Sequence, residues 1–159
     1  MLKTCDYSDV NSLVHLPAKV VLAVSETPAG SYNLITLEWF MRTSIAPPMF
    51  AISIGHSRFS HDCFESKRFF NLVFPSDEQK SLLSLCGSTS GRDTDKFSLG
   101  DVNSIPGKLQ KLPVLVDAVA NLECEIVTQV RSGDHTIYVG QVHFAWINKE
   151  KNLFYYPRS

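Results

Sequence analysis

The chain has 159 residues, of which 44% are apolar and 19% charged, and its 15 Lys+Arg against 16 Asp+Glu give a formal charge of −1. Such a composition can bury its own core, which excludes long disordered tracts and any need for a disulfide or metal framework. A near-neutral chain without a basic block is also a poor general binder of nucleic acid or acidic membranes, because phosphate affinity grows with the number of basic contacts.

The length suits a single domain over 1–159, with two very small domains as the alternative. Ten Phe in a chain of low charge leave apolar surface that a homodimer would hide. The cysteines at 5, 63, 86 and 124 form no CxxC pair, so structural zinc is not expected. MLKTCDYSDV is not a basic region leading an apolar run, and no uncharged stretch reaches the ~18–20 residues a bilayer requires. A cytoplasmic protein with reduced thiols is expected.

Residues 1–15 read as a polar lead-in with a helical turn around Val10–Val14. Lys19 to Ser25 is an apolar, β-branched run that predicts a buried strand, ended by the turn Thr27-Pro28-Ala29-Gly30. Tyr32 to Thr43 and Met49 to Ile54 predict two more strands, separated by Ala46-Pro47-Pro48, whose prolines donate no ladder hydrogen bonds. HDCFESKR (61–68) predicts a helix with Cys63 and Phe64 facing the core, and Phe69 to Phe74 a strand. A second helix is expected over 77–86, with Ser76 as N-cap and Gly87 as its stop.

The polar stretch from Ser88 to Gly100 predicts a long surface loop, or a loop around a short helix, of the kind that often carries function. In the last third, alternation over 121–130 places Leu122, Cys124, Ile126 and Val130 on one face and Glu123, Glu125 and Gln129 on the other. Ser132-Gly133-Asp134 then turns the chain into 135–147, a strand apolar on both faces, so that one face meets the core and the other something else. Strands with scattered helices and no GxGxxG turn point to a mainly antiparallel barrel and away from a doubly wound sheet.

Few chemical constellations stand out. Gly55-His56-Ser57-Arg58-Phe59 lacks the last glycine of a nucleophile elbow, and His56, His61 and Cys63 match no metal-ligand spacing with a mechanism. Pro106-Gly107-Lys108 is not a phosphate loop. Three stretches retain interest beside their ordinary structural readings as turn, cap and strand residues. Asn33, Thr36 and Trp39 bring an amide, a hydroxyl and an indole onto one strand. Arg58-Phe59-Ser60 offers a guanidinium, a hydroxyl and helix N–H groups to an anion. His135 stands beside a tight turn.

In order and spacing these pieces resemble the flavin reductase-like family of FMN-binding split barrels, most closely its flavoredoxin and ferric-reductase-like branch. The resemblance runs over about 16–147. It is carried by Leu16-Pro17-Ala18-Lys19-Val20, Gly30 and Asn33 to Trp39, Pro47-Pro48, Arg58-Phe59-Ser60, Phe70 to Val73, Ser90-Gly91-Arg92 with Asp95-Lys96-Phe97, and Gly133-x-His135-Thr136 with Gly140.

The resemblance implies a mainly β, six-stranded antiparallel split barrel of Greek-key type with a few covering helices. It further implies a homodimer and non-covalent FMN. Asn33, Thr36, Leu37, Trp39, Met41, Ser53, Phe59 and Asn71 would line the flavin, with Arg58, Ser60 and Arg92 toward its phosphate and Lys96 at its polar edge. His135 would lie where a hydride donor or electron partner docks. In flavoredoxins a further aromatic covers the flavin, so here Phe154 or Tyr155 takes that place or the site is more open. The implied function is an NAD(P)H-dependent FMN oxidoreductase that passes electrons to free flavin, a ferric complex or a protein. The alternatives are a flavoredoxin-like electron carrier without its own NAD(P)H reductase activity, and a barrel that has lost the cofactor.

Overall fold

A computed structural model describes residues 18–156 together with Asp6 and Ser8, so the turn expected around Val10–Val14 lies outside the described residues. The chain order is β1 (Ala18–Lys19), β2 (Val21–Glu26), β3 (Tyr32–Leu37), β4 (Phe40–Ser44), β5 (Met49–Gly55), α1 (Phe59–Ser66), β6 (Phe69–Phe74), a 3-10 turn (Asp77–Gln79) running into α2 (Lys80–Ser88), and α3 (Lys96–Leu99). It continues with β7 (Ser104–Pro106), β8 (Pro113–Leu115), β9 (Ala120–Ser132), β10 (His135–Ile147) and β11 (Tyr155–Tyr156). The main sheet is antiparallel and seven-stranded, in the order β3-β2-β6-β9-β10-β5-β4.

The expected strand from Tyr32 to Thr43 is in fact two, and this accounts for seven strands in place of six. At Glu38 and Trp39 the chain makes a tight turn, in which Phe40 N–H donates to the Glu38 carbonyl at 3.1 Å. β3 and β4 therefore lie at opposite edges of one sheet while remaining continuous in sequence. The Trp39 carbonyl accepts from Ser53 N–H at 3.0 Å, tying the bend to β5. A sheet joined edge to edge in this way is a barrel, which removes exposed edges.

The barrel core contains Val21, Ala23, Ile35, Leu37, Ile52, Ile54, Phe70, Leu72, Cys124 and Tyr138. α1 joins it through Cys63 and Phe64, with Ser60 buried on the same helical face, as the spacing i, i+3, i+4 requires. The helix begins earlier than the sequence suggests and ends at Ser66, leaving Arg68 to pair with Glu125 at 2.8 Å. A second apolar cluster lies beneath α2, where Leu82, Leu83 and Cys86 meet Val20, Leu22, Val24, Leu34 and Phe154. Ser76 and Gln79 form the expected capping box, but α2 runs through Gly87 to Ser88 instead of stopping there. Gly133 takes φ +59° in the two-residue turn from β9 to β10, a conformation that favours glycine.

The outer face of β6 and β9 corrects two readings of the sequence. Glu123, placed by alternation on a polar face, is fully buried. Its carboxylate accepts from Lys108 N–H at 3.0 Å, from Leu109 N–H, and from the Trp146 indole at 2.6 Å. Asn71, opposite Glu123 in the ladder, is also fully buried and donates to the Leu112 and Pro113 carbonyls, at 3.3 and 2.9 Å. Asn121 bonds both backbone groups of Leu115. These three side chains thus pin the segment over 107–118 against the sheet, and Asn71 is an anchor for that segment, not a lining residue of the cleft. Val130, expected to face inward with Leu122 and Cys124, is exposed. The register of β9 against β10 shifts between Val139 and Gly140, so the simple alternation does not persist along the hairpin.

Replacing Glu123 with Ala should lower the unfolding free energy by about 3 kcal/mol, since three donors lose their acceptor in a buried site. Urea denaturation with an unchanged slope checks this. A second expectation concerns alkali. Burial raises the Cys86 thiol from its ordinary 9.0 to about 11 and the Cys124 thiol to about 12. Their folded-state values lie above the unfolded ones, so the stabilisation is complete below pH 9 and declines above it, by roughly 1.4 kcal/mol per thiol per pH unit until the folded thiol ionises. The Cys86→Ala, Cys124→Ala double variant should show a flatter decline between pH 9 and 11.

Candidate flavin-binding cleft

Where the barrel splits between β3 and β5, a cleft of about 930 Å³ opens, within the range typical of small-molecule sites. Its walls come from β3 and the following bend (Asn33, Ile35, Thr36, Leu37, Glu38 and Trp39), from β5 (Ser53 and Gly55), and from Arg58, Phe59 and Ser60 at the start of α1. The C-terminal half of α2, the segment through Gly91, Lys96, His135 and Tyr156 complete it. Three elements far apart in sequence thus meet because the barrel mouth, α1 and α2 share one end of the fold.

Lys96 is the dominant charge. Asp95 caps α3 by accepting from Phe97 and Ser98 N–H, which places Lys96 at the first helical position and turns its side chain inward, 4% exposed. The ammonium donates to the Leu34 carbonyl at 2.8 Å and the Cys86 carbonyl at 3.1 Å. An ammonium has three donors, so one remains for an acceptor in the cleft. Burial holds the amine below its ordinary value, with the Arg58 charge pushing the same way and the Cys86 and Cys63 thiols opposing.

Asn33, on β3, lines the same cleft. Its Nδ2 donates to Ser60 Oγ at 2.9 Å, whereas its Oδ1, in a side chain only 3% exposed, has no donor. A buried acceptor without a partner costs roughly 1–3 kcal/mol, so a ligand that supplies an N–H there recovers that loss. Ser60 keeps its own O–H for an acceptor. The exposed Arg58 makes no ion pair among the described residues and lies beside the N-terminus of α1. Thr36 spends its hydroxyl on the Leu83 carbonyl at 2.8 Å, docking α2 on β3.

At the mouth, the Trp39 and His135 rings lie 4.6 Å apart between centroids. His135 Nδ1–H donates to Asp134 Oδ1 at 2.6 Å, and this bond holds the Asp134 carboxyl below its ordinary value. His56 and His61 instead share the Thr136 hydroxyl, at 3.0 and 3.3 Å, while Cys63 is buried in the barrel core.

Of the residues singled out in the sequence, Asn33, Thr36, Leu37, Trp39, Ser53, Arg58, Phe59, Ser60, Lys96 and His135 meet in this cleft. Three do not. Asn71 is consumed beneath the 107–118 segment, and Met41 lies past the bend, 62% exposed on β4. Arg92 turns away to pair with Asp62 at 2.6 Å and to cover the Phe59 ring. Neither Phe154 nor Tyr155 closes the site: Phe154 is buried under α2, Tyr155 pairs with Lys19, and the lining aromatic is Tyr156. The sequence reading missed the α2 contribution of Leu83, Ser84, Cys86 and Gly87, because Gly87 reads as a stop and Leu83 and Cys86 as the apolar face of the helix.

The Flavin reductase like domain family matches residues 13–159. A protein of Archaeoglobus fulgidus is 32% identical over 136 residues, covering 84% of this chain and 75% of its own. The NADH-dependent FAD reductase of Streptomyces globisporus is 28% identical over 138 residues, or 85% of this chain and 72% of that protein. Among solved structures, an FMN-binding protein from Thermus thermophilus with bound p-hydroxybenzaldehyde superimposes with a TM-score of 0.78 at 29% identity, over 86% of this chain and 75% of that one. Together with the antiparallel split barrel and its cleft, these matches show that the chain belongs to the flavin reductase-like domain family of oxidoreductases.

Proposed function

We propose that the cleft binds FMN and that the protein is an oxidoreductase passing electrons from NADH or NADPH through that flavin to free flavin, a ferric complex or a protein acceptor. The observation that carries this reading is the pairing, in one cleft, of a buried acceptor without a donor, Asn33 Oδ1, with a buried cation that retains a donor, Lys96. A planar imide, with its N–H between two carbonyl oxygens, is complementary to such a pair. Phe59, Ile35 and Leu37 offer apolar walls, while Arg58, the Ser60 hydroxyl and the N–H groups opening α1 suit a phosphate.

When bound, a flavin supplies hydride acceptance and one-electron donation, and the protein's part is to position, tune and shield it. In this reading Lys96 favours negative charge on whatever lies against it, because a cation in a poorly solvated site is weakly screened. Asp134 keeps the His135 proton at Nδ1 and fixes the ring beside Trp39, where a donor would enter. His135 is assigned to the reduction step, and the remaining lining residues to binding.

The exposed Val127, Val130, Phe144 and Ile147 on the β9–β10 hairpin support a homodimer, in keeping with the two apolar faces of 135–147. No helix among the described residues is long and apolar enough to cross a membrane. A single cytoplasmic domain over 1–159 completes the proposal.

FMN added to the protein should bind at one site per chain. Lys96→Met should weaken that binding at least tenfold, whereas His135→Ala should slow anaerobic bleaching of the flavin by NADH or NADPH at least tenfold. Absence of flavin binding would overturn the reading. Binding without bleaching by either nucleotide would select the electron carrier. For assembly, sedimentation of the Val130→Glu, Ile147→Glu double variant should give a monomer where the parent chain gives a dimer.

A further inference from the structure

The segment joining α2 to α3 crosses the cleft wall, and it is secured in an unusual way. Within 90–94 the backbone bonds close on themselves: Asp93 and Thr94 N–H both donate to the Ser90 carbonyl, and Arg92 N–H to Ser90 Oγ. Thr89 before this stretch is tied to the Leu85 carbonyl and Asp95 after it caps α3; among the described residues, the polar bond from 90–94 itself to the rest of the molecule is Arg92 Nη2 to Asp62 Oδ2, at 2.6 Å. The same guanidinium lies 5.5 Å from the centroid of the Phe59 ring. Asp62 and Phe59 are one turn apart on α1, so one side chain grips both the charge and the ring of the opposite wall.

The backbone beside that grip lies directly on the cleft. A Cβ added to Gly91 would sit 2.1 Å from Asn33 Oδ1 and 2.8 Å from Phe59 Cδ1. The segment therefore seats on two lining residues, and only glycine permits the approach. With the segment seated there, Asn33 Oδ1 remains a buried acceptor without a donor. Against that disadvantage stands an ion pair whose two side chains are each 48% exposed, a type whose contribution is small and sensitive to salt. Closure is thus poised and not locked.

We propose that residues 90–94 form a strap whose Arg92–Asp62 latch sets how fast a ligand enters and leaves the cleft. With the flavin reading above supplying the ligand, the latch decides whether FMN stays resident or exchanges as a substrate. Arg92 thereby has a role although it lines no part of the site.

The test uses the full chain, with FMN release followed by fluorescence after dilution into a flavin trap. Asp62→Asn and Arg92→Gln should each speed release about three- to tenfold, and the double variant no more than the faster single, because both break one contact. Addition of 0.5 M KCl should speed release from the parent chain about threefold and from either variant less than twofold. Hydrogen exchange of the amides at 91–94 in flavin-free protein supplies a readout independent of the cofactor. Both variants and salt should accelerate it by a similar factor. Unchanged exchange in both variants would overturn the latch. Accelerated exchange in a chain that binds no FMN would support the latch and sink the flavin reading alone, and accelerated exchange with unaltered FMN release would overturn control of the ligand.

Discussion

The structure depends on the bend at Glu38 and Trp39, where one continuous segment leaves one edge of the sheet and joins the other. A Phe40–Glu38 backbone bond makes the turn, and a Ser53–Trp39 bond holds the closure to β5. Closure brings Asn33 and Leu37 to one side of the split and Ser53 and Gly55 to the other, with Trp39 at the mouth. Were Tyr32 to Thr43 a straight strand, the barrel would stay open and the cleft would have no opposite wall. The site is in this sense a by-product of how the sheet avoids leaving two free edges.

Around that closure, buried polar groups divide into two kinds. Asn71, Asn121 and Glu123 spend hydrogen bonds on backbone groups of one covering segment and hold it on the sheet, although Asn71 Oδ1 is left without a donor. Lys96 and Asn33 are only partly satisfied, and both lie in the cleft. Burial of an unpaired group is costly, so incomplete satisfaction beside a cavity marks a place for something else. Asn71 and Asn33, two buried asparagines on strands of one barrel, each leave Oδ1 without a donor, and only Asn33 borders the cleft.

Arg92 and Lys96 make a related contrast within four residues of each other. Both belong to the Ser90–Phe97 motif, yet the cap at Asp95 directs Lys96 inward while the turn at Ser90 carries Arg92 outward to α1. A basic residue beside a binding cleft can thus act on the ligand or on the segment that covers it. Only the local backbone distinguishes them.

Much of this protein is determined by its sequence alone. Hydrophobic periodicity places β2, β5, β6, β9 and β10 nearly as they occur, and the capping box at Ser76 and Gln79 marks the turn into α2, since these signals depend on residues near one another in the chain. The motif spacing likewise leads to the family and to ten of the residues that line the cleft. Tertiary structure decided the rest: the burial of Glu123, the diversion of Asn71 and Arg92, the break before β4 and the share of α2 in the cleft. Each depends on what a distant segment lays over a given face. Local pattern tells which faces a strand or helix has, but not which neighbour will cover them, and the role of a polar side chain follows from that neighbour.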